Sequence, residues 1–229
     1  MKIHNVFIAA LGPEIQYYTA LVRSLDSSLG NMLEKMAINI AHLNFTVSQH
    51  VEGTLYPEQM AFVADLLDQY KSRTSTPSVA DYQPLRDLTS KTQAKEKRHE
   101  SDYYLIDDET NEHFLLELKI GGDLDNKKAR SEKEAILEQY AILSNSLSAS
   151  TPLHVYFATA YNRFGEGKPW NQQRVRQFFA EDELLIGEEF WNFVCRDDQG
   201  YATVLSAYKE SASAIQQALD SIKHLYLPS

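Results

Sequence analysis

The feature that most constrains this chain is a pair of strand-like segments separated by a short polar stretch. Residues 103–106 and 113–120 are rich in aromatic and aliphatic side chains, and residues 107–112 between them are polar. This pattern predicts a β-hairpin. Gly121 and Gly122 follow the second strand and are expected to end it.

Charged residues stand at the open end of this hairpin. Because side chains alternate along a strand, Glu117 and Lys119 share one face, and the alternate positions are apolar. If the turn closes symmetrically, Ile106 pairs with His113 and Asp102 lies opposite Glu117. Residues directly opposed in an antiparallel pair have Cα atoms about 4.5–5.5 Å apart. Two carboxylates that close repel each other unless a divalent cation binds them, although a one-residue slip in register would separate them.

Helices are predicted on both sides of the hairpin. Before it, apolar residues at helical spacing predict helices at 15–25, 32–43 and 57–70. Ser27, Ser28 and Gly30 are expected to break the first from the second, and residues 71–84 to form a loop. After the hairpin we expect a helix from the N-cap Asp125 to about residue 143 and a buried strand at 153–160. Further helices are predicted at 172–179, 187–194 and 212–226. This order predicts an α/β core covered on both sides.

Asp102 and the Glu117-Leu118-Lys119 run are separated by fourteen residues. They resemble the bipartite motif of the PD-(D/E)XK nuclease superfamily, and the size and arrangement resemble a type II restriction endonuclease. The resemblance covers roughly residues 31–160, and Ser101 stands where the motif name has Pro. It implies an α/β restriction-endonuclease-like core with a mixed central β-sheet flanked by helices. We therefore expect a single endonuclease domain, 1–229, with a catalytic core at about 31–160 and DNA-recognition and dimerisation elements in 161–229.

The resemblance also implies hydrolysis of phosphodiester bonds in double-stranded DNA, at a specific site and with Mg²⁺. Asp102, Glu117 and the backbone carbonyl of Leu118 are the predicted metal ligands, since Mg²⁺ prefers hard oxygen donors. Lys119 is predicted to orient the attacking water or stabilise developing negative charge. Glu34, in a segment that resembles the family's preceding helix, is predicted to assist catalysis at one remove. The alternative for Glu34 is a surface carboxylate in the first turn of a helix, and the number of metal ions stays open.

The net charge of −10 argues against DNA binding by bulk electrostatics, so local clusters matter more. Two basic clusters flank the hairpin and are predicted to bind phosphates; the second also contains Lys133. A third group follows the last core strand and offers donors for base reading. A solvated surface is the alternative for the two clusters, and an ordinary amphipathic helix face is the alternative for the third group. The predicted DNA-binding residues are Lys91, Lys95, Lys97, Arg98, Lys127, Lys128, Arg130, Asn171, Gln173, Arg174 and Arg176, with Asn162, Arg163 and Gln172 in the same recognition segment.

Several other classes of protein are excluded or disfavoured. The single cysteine, Cys195, leaves no disulfide framework, and the seven histidines lack zinc-binding spacing. No apolar run approaches the roughly 18 residues of a membrane span, and the N-terminus lacks a signal-peptide pattern, so a cytoplasmic location is expected. A homodimer on a palindromic site is the natural assembly. The alternatives are another nuclease of the superfamily, acting in DNA repair or on structured DNA, and a non-catalytic DNA-binding or assembly protein with the same fold.

Overall fold

The computed structural model describes residues 5–88 and 95–226, without the side chains of residues 95, 96, 99, 100, 102, 225 and 226. Within these residues one sheet contains, in spatial order, β1 (Thr46–Leu55), β2 (Lys95–Asp107), β3 (Glu112–Leu118), β4 (Leu153–Thr159) and β5 (Leu184–Ile186). The first three strands are antiparallel, and β3, β4 and β5 are parallel. The predicted α/β fold with a mixed central β-sheet is confirmed.

Helices cover both faces of the sheet. The helices of the described chain are α1 (Val6–Ala9), α2 (Pro13–Asn44), α3 (Pro57–Ser72), α4 (Gln83–Asp87), α5 (Asn126–Ser146), α6 (Gln173–Arg176), α7 (Glu188–Cys195) and α8 (Gly200–Tyr226). Apolar side chains of α3 and α5 pack with Leu115 and Val155 on one face, and those of α2 and α7 pack with Leu116 and Leu118 on the other. Across these ranges, none of the helices is long and apolar enough to cross a membrane.

The β2–β3 hairpin has the predicted register. Ile106 pairs with His113, and Tyr103 pairs with Leu116. The parallel pairing of β3 with β4 then places Glu117 beside Phe157. Because β3 is central, with β2 on one side and β4 on the other, its backbone is held on both edges.

The predicted break between the first two helices is wrong. Helix α2 runs without interruption through Ser27, Ser28 and Gly30. Ser and Gly lower helix stability by only about 0.5–1 kcal/mol each, which a helix of 32 residues with one end packed on the sheet can tolerate. Gly30 also lies against the end of β3, where a Cβ atom would be 3.6 Å from Cγ1 of Ile120.

Four other features differ from the sequence-based expectation. Strand β1 was not predicted, because only Val51 and Leu55 of its residues are buried and the alternation is therefore weak. The recognition helix expected at 172–179 is the four-residue α6. Helix α8 begins at Gly200 instead of residue 212, and the predicted loop at 71–84 contains a 3₁₀ turn, Val79–Tyr82.

Candidate active site

Glu117 and Lys119 lie together at the carboxyl end of β3. Glu117 is within the strand, and the backbone N–H of Lys119 donates to the carbonyl of Ala158 at 2.9 Å, which extends the parallel pairing by one residue. Their side chains form an ion pair, and they are 10% and 24% exposed respectively. The strand therefore presents a carboxylate and an ammonium group on one face, as its period of two predicts.

Glu132 of α5 approaches the same ammonium group. Its Oε1 is 3.4 Å from Nζ of Lys119, and its side chain is 19% exposed. Ala129 and Ile136, three residues before and four after it, are buried. Since these positions share one helix face, Glu132 lies on the margin of the face that packs toward the sheet. Glu132 was not predicted from the sequence, because a single acidic residue in a basic segment gives no periodic signal.

The start of α5 is fixed by its predicted cap. The side chain of Asp125 accepts a hydrogen bond from the backbone N–H of Lys128 at 2.8 Å. The cap satisfies one of the unpaired N–H groups in the first turn of the helix. It also sets the helical phase that brings Glu132 to Lys119.

Asp102 and Glu34 lie on neighbouring elements. Asp102 is in β2, and its side chain is outside the described residues. The next residue, Tyr103, donates from its hydroxyl to the backbone carbonyl of Glu34 at 2.9 Å, so α2 contacts β2 beside Asp102. The Glu34 side chain itself is exposed. Its catalytic role, like that of Asp102, stays a prediction.

The donor set fits a hard divalent cation. The carboxylate of Glu117 and the carbonyl of Leu118 are oxygen ligands of the kind Mg²⁺ prefers. Among the described side chains, no group of three or more His, Cys, Asp or Glu could hold a metal ion. Asp102, the other predicted carboxylate ligand, is not among those side chains.

The sequence matches the family described as Type II restriction endonuclease, HinfI, over residues 1–212. The chain belongs to this family. The family assigns it the class of a DNA-binding nuclease in a restriction system and bears out the resemblance stated above. Type II restriction endonucleases generally use a divalent metal ion. No curated protein and no solved structure matched the chain.

In this HinfI-family chain, the basic cluster before the hairpin is only partly a free surface. Lys91 and the side chain of Lys95 are outside the described residues. Lys97 forms an ion pair with Glu138 of α5 at 2.7 Å, which ties β2 to that helix. Arg98 is exposed, with its Nη1 3.9 Å from a carboxylate oxygen of Glu52.

The basic cluster at the start of α5 also contains both exposed side chains and side chains held in ion pairs. Lys127 and Lys128 are exposed, whereas Arg130 forms an ion pair with Asp68 of α3 at 2.8 Å. Lys133 is fully buried and pairs with Glu183 at 2.7 Å, so its inclusion in a surface cluster is wrong. The helical period turns Lys133 away from Lys128 and into the core, which a count of nearby charges does not detect.

Several residues of the predicted recognition segment form hydrogen bonds and ion pairs that stabilise the segment and its contact with the loop after β3. Asn162 is buried, and its amide donates to the carbonyl of Lys168 at 2.7 Å. Arg163 and Gln172 both donate to Asp123, at 2.7 and 3.0 Å. The hydrogen bond from Arg163 is the largest cause of the lowered pKa of Asp123. Arg176 is likewise engaged, with Glu181 and the carbonyl of Trp170, which leaves Asn171, Gln173 and Arg174 exposed.

Two glycines bring this segment to the end of β3. A Cβ atom at Gly121 would lie 2.6 Å from Oη of Tyr161, and one at Gly122 would lie 2.7 Å from Cγ2 of Thr159. Gly122 also has φ of +64°, which favours glycine. The exposed Tyr161 therefore sits against the loop that follows Lys119, and Arg163 joins the same loop through Asp123.

Proposed function

We propose that this protein is a type II restriction endonuclease that hydrolyses double-stranded DNA at a specific site using Mg²⁺. The observation that carries the proposal is the Glu117–Lys119 ion pair at the carboxyl end of β3, in a chain that belongs to the HinfI family. A buried carboxylate beside a partly exposed ammonium group is suited to a reaction that needs both a metal ligand and a positive charge near phosphate.

Each residue has a distinct part in the proposed mechanism. Held by Asp102, Glu117 and the carbonyl of Leu118, Mg²⁺ would act as a Lewis acid and lower the pKa of a bound water. The ammonium of Lys119 donates a hydrogen bond to the attacking water or to a phosphate oxygen, and its charge offsets the negative charge that develops there. Glu34, beside β2, is assigned a supporting role at one remove. The reaction breaks one phosphorus–oxygen bond and forms another to the water oxygen.

We propose that the DNA lies across the carboxyl ends of β3 and β4. Lys127 and Lys128 are exposed one turn before Glu132, and Arg174 is exposed on the segment that packs beside β3. These side chains, with Arg98, are assigned to phosphates, and Asn171 and Gln173 to bases. Replacing both lysines with Ala should reduce the salt dependence of DNA binding by roughly one counterion for each lysine.

A homodimer is proposed because one active site cuts one strand of a symmetric target. The first half of α2 supplies a candidate surface. Ile15, Tyr18, Val22 and Leu25 are between 40% and 56% exposed, and they are spaced alternately by three and four residues. This spacing is typical of a seam between paired helices. The assembly state of Val22→Glu in analytical ultracentrifugation, compared with the wild type, tests the surface.

The proposed domain organisation is a single unit, 1–229, with the catalytic core at about 31–160 and recognition elements after it. The α2 seam would add a dimerisation element before that core, beyond the one expected in 161–229. Since its substrate is DNA that enters the cell, a cytoplasmic location is part of the same proposal.

The experiment that tests the function is incubation of purified protein with plasmid and phage DNA, with and without MgCl₂, beside Glu117→Ala. Discrete fragments that require Mg²⁺ and disappear in the variant would support a site-specific endonuclease, and mapping the ends would identify the site. Cleavage that follows DNA structure and ignores sequence would indicate a repair-type nuclease. Binding without cleavage across these DNAs would indicate a non-catalytic protein.

A further inference from the structure

We propose that Glu132 is a positioning residue that holds the Lys119 ammonium group in place while Glu117 binds the metal ion. This inference rests on the proposed function, because it assigns Glu132 a role through Lys119. Glu132 lies on α5, outside the hairpin, and it is not part of the motif formed by Asp102, Glu117 and Lys119.

Among the described residues, the charged partners of the Lys119 side chain include one on β3 and one on α5. The backbone of Lys119 is fixed by the hydrogen bond to Ala158, but its side chain ends between Glu117 of the same strand and Glu132 of α5. The side chain of Lys119 is 24% exposed, that of Glu117 is 10% exposed and that of Glu132 is 19% exposed. They are sheltered enough to interact strongly, and each keeps some contact with solvent.

Metal binding changes the balance between the two carboxylates. A divalent cation held by Glu117 would neutralise its charge and would repel the neighbouring ammonium group. The attraction from Glu132 opposes this repulsion, because its carboxylate is 3.4 Å from Nζ and is supported by a separate helix. Glu132 is therefore placed to keep Lys119 directed at the reacting phosphate in the metal-bound state.

The same helix offers a matched control. Glu138 is six residues further along α5 and forms an ion pair with Lys97 at 2.7 Å. Its side chain is 14% exposed, close to the exposure of Glu132. Glu132→Gln and Glu138→Gln thus each remove one partly buried carboxylate charge from the same helix. Among the described ion pairs, Glu132 is paired with Lys119 and Glu138 with Lys97.

The activity test uses a duplex oligonucleotide that carries the site mapped on plasmid DNA. With enzyme in excess and MgCl₂ present, Glu132→Gln should cleave about 10- to 100-fold more slowly than the wild type, the usual effect of losing a supporting partner. Affinity for the same duplex, measured with CaCl₂ in place of MgCl₂, should stay within about twofold. Glu138→Gln should cleave at nearly the wild-type rate, and Glu132→Asp should be intermediate because it keeps the charge.

A second readout does not depend on cleavage. In ¹⁵N-detected spectra of the lysine ammonium groups, the Lys119 signal is assigned by its absence in Lys119→Met. On addition of MgCl₂ this signal should persist in the wild type and in Glu138→Gln, and it should broaden or disappear in Glu132→Gln. Circular dichroism and the thermal midpoint establish whether each variant is folded. If Glu132→Gln is not folded, Glu132→Asp replaces it in the cleavage and ammonium-signal measurements.

The outcomes separate this inference from the proposed function. Slower cleavage in Glu132→Gln that adds nothing in a Lys119→Met background, together with the loss of the ammonium signal, supports it. Wild-type cleavage by Glu132→Gln while Lys119→Met is inactive would overturn the role of Glu132 and leave the proposed function standing. An equal slowing in both backgrounds would overturn it too, since Glu132 would then act independently of Lys119. Wild-type cleavage by Lys119→Met would overturn the proposed catalytic site itself.

Discussion

Two consecutive residues of α5, Glu132 and Lys133, belong to charge clusters of opposite character. Glu132 joins Glu117 and Lys119 in an open cluster, where every member keeps some contact with solvent. Lys133 joins a sealed cluster, in which its ammonium and the carboxylate of Glu183 are both fully buried. We call these the open cluster and the sealed cluster.

The sealed cluster satisfies its polar atoms internally. Lys133 donates to both carboxylate oxygens of Glu183, at 2.7 and 2.8 Å, and also to the hydroxyl of Tyr82. Its Nζ lies 4.5 Å from the ring centre of Phe179, and Glu183 accepts from the backbone N–H of Ala180 at 2.6 Å. Burial raises the pKa of Glu183 to about 8 and lowers the pKa of Lys133, so desolvation opposes both charges.

The difference between the two clusters indicates that the position of a charged residue around one helix decides whether it supports the fold or the active site. In the sealed cluster, hydrogen bonds use the donors and acceptors of both partners, and no solvent reaches them. In the open cluster the same types of side chain meet at the edge of the sheet, where water, a metal ion or a phosphate can still approach. We therefore expect substitutions in the open cluster to change activity and those in the sealed cluster to change stability.

The largest expected effect is on cleavage by Lys119→Met. Loss of the ammonium group removes a charge-stabilising donor, so the single-turnover rate should fall about 100- to 1,000-fold. The unfolding free energy should change by less than the roughly 3–5 kcal/mol that loss of one partner costs in a fully buried pair, because Lys119 is 24% exposed. Rates on the mapped duplex and urea unfolding curves check the two parts. A large loss of stability with full activity per folded molecule would reverse the comparison.

Lys133→Ala should produce the opposite result. Removing one partner of a buried pair leaves the Glu183 carboxyl group buried without its hydrogen-bond donor, and loss of one such partner destabilises a protein by about 3–5 kcal/mol. That is a large fraction of the roughly 5–15 kcal/mol that stabilises a typical domain. Urea unfolding measures the change, and Lys128→Ala, an exposed lysine in the same helix, is the control. A change below about 1 kcal/mol would show that the sealed cluster does not support the fold.

The hairpin was predictable from sequence because its signal is local. Strand period, the polar turn and the two glycines specify which residues of β3 share a face, and the observed register agrees with them. The cap at Asp125 was predictable for the same reason. In contrast, Glu132 and Lys133 are consecutive charged residues, and only the direction that each takes around the axis of α5 distinguishes them. One turns toward Lys119 and the other toward Glu183, and the latter partner is fifty residues away in sequence.

Part of the predicted recognition segment makes contacts within the protein that the sequence did not indicate. Asn162, Arg163 and Arg176 are residue types that read bases, but each is engaged by a local partner that the sequence pattern does not reveal. Strand β1 was missed because an edge strand buries few side chains and so lacks strong alternation. Neither the partners of these side chains nor the pairing of β1 with β2 is specified by a pattern in a single sequence.

A double substitution sharpens the comparison within the sealed cluster. Lys133→Met combined with Glu183→Gln removes both charges, fills similar volume and keeps an acceptor for the N–H of Ala180. Since a buried pair can often be replaced at little cost, the double variant should recover most of the stability lost in Lys133→Ala, to within about 1–2 kcal/mol of the wild type. Urea unfolding of the double variant and both single variants measures the recovery. No recovery would mean that the charges themselves, and not the packing around them, specify this part of the core.

The smallest expected effect concerns Asp107, which is intermediate between the two clusters. Its carboxylate is 4% exposed, but its partner Arg196 is 35% exposed. Burial alone would raise the pKa of Asp107, yet hydrogen bonds from Glu109 and Thr110 and the charge of Arg196 lower it overall. A lowered carboxyl pKa stabilises the folded state above the unfolded-state pKa of about 3.9, and that stability is lost as pH falls further.

Asp107→Asn should therefore be less stable than the wild type at pH 7, and the gap should narrow as pH falls below about 4. The amide retains an acceptor for the N–H groups of Glu109 and Thr110, so the variant isolates the charge. Urea unfolding of both proteins from pH 7 to pH 3.5 follows the gap, and added salt should reduce it at pH 7 because Arg196 is partly exposed. A gap that stays constant with pH would place Asp107 with the sealed cluster, where geometry and burial outweigh charge. A gap that closes would show that the charge of Asp107 stabilises the fold even though its carboxylate is buried. Asp107 would then resemble the residues of the open cluster, whose charges keep contact with solvent.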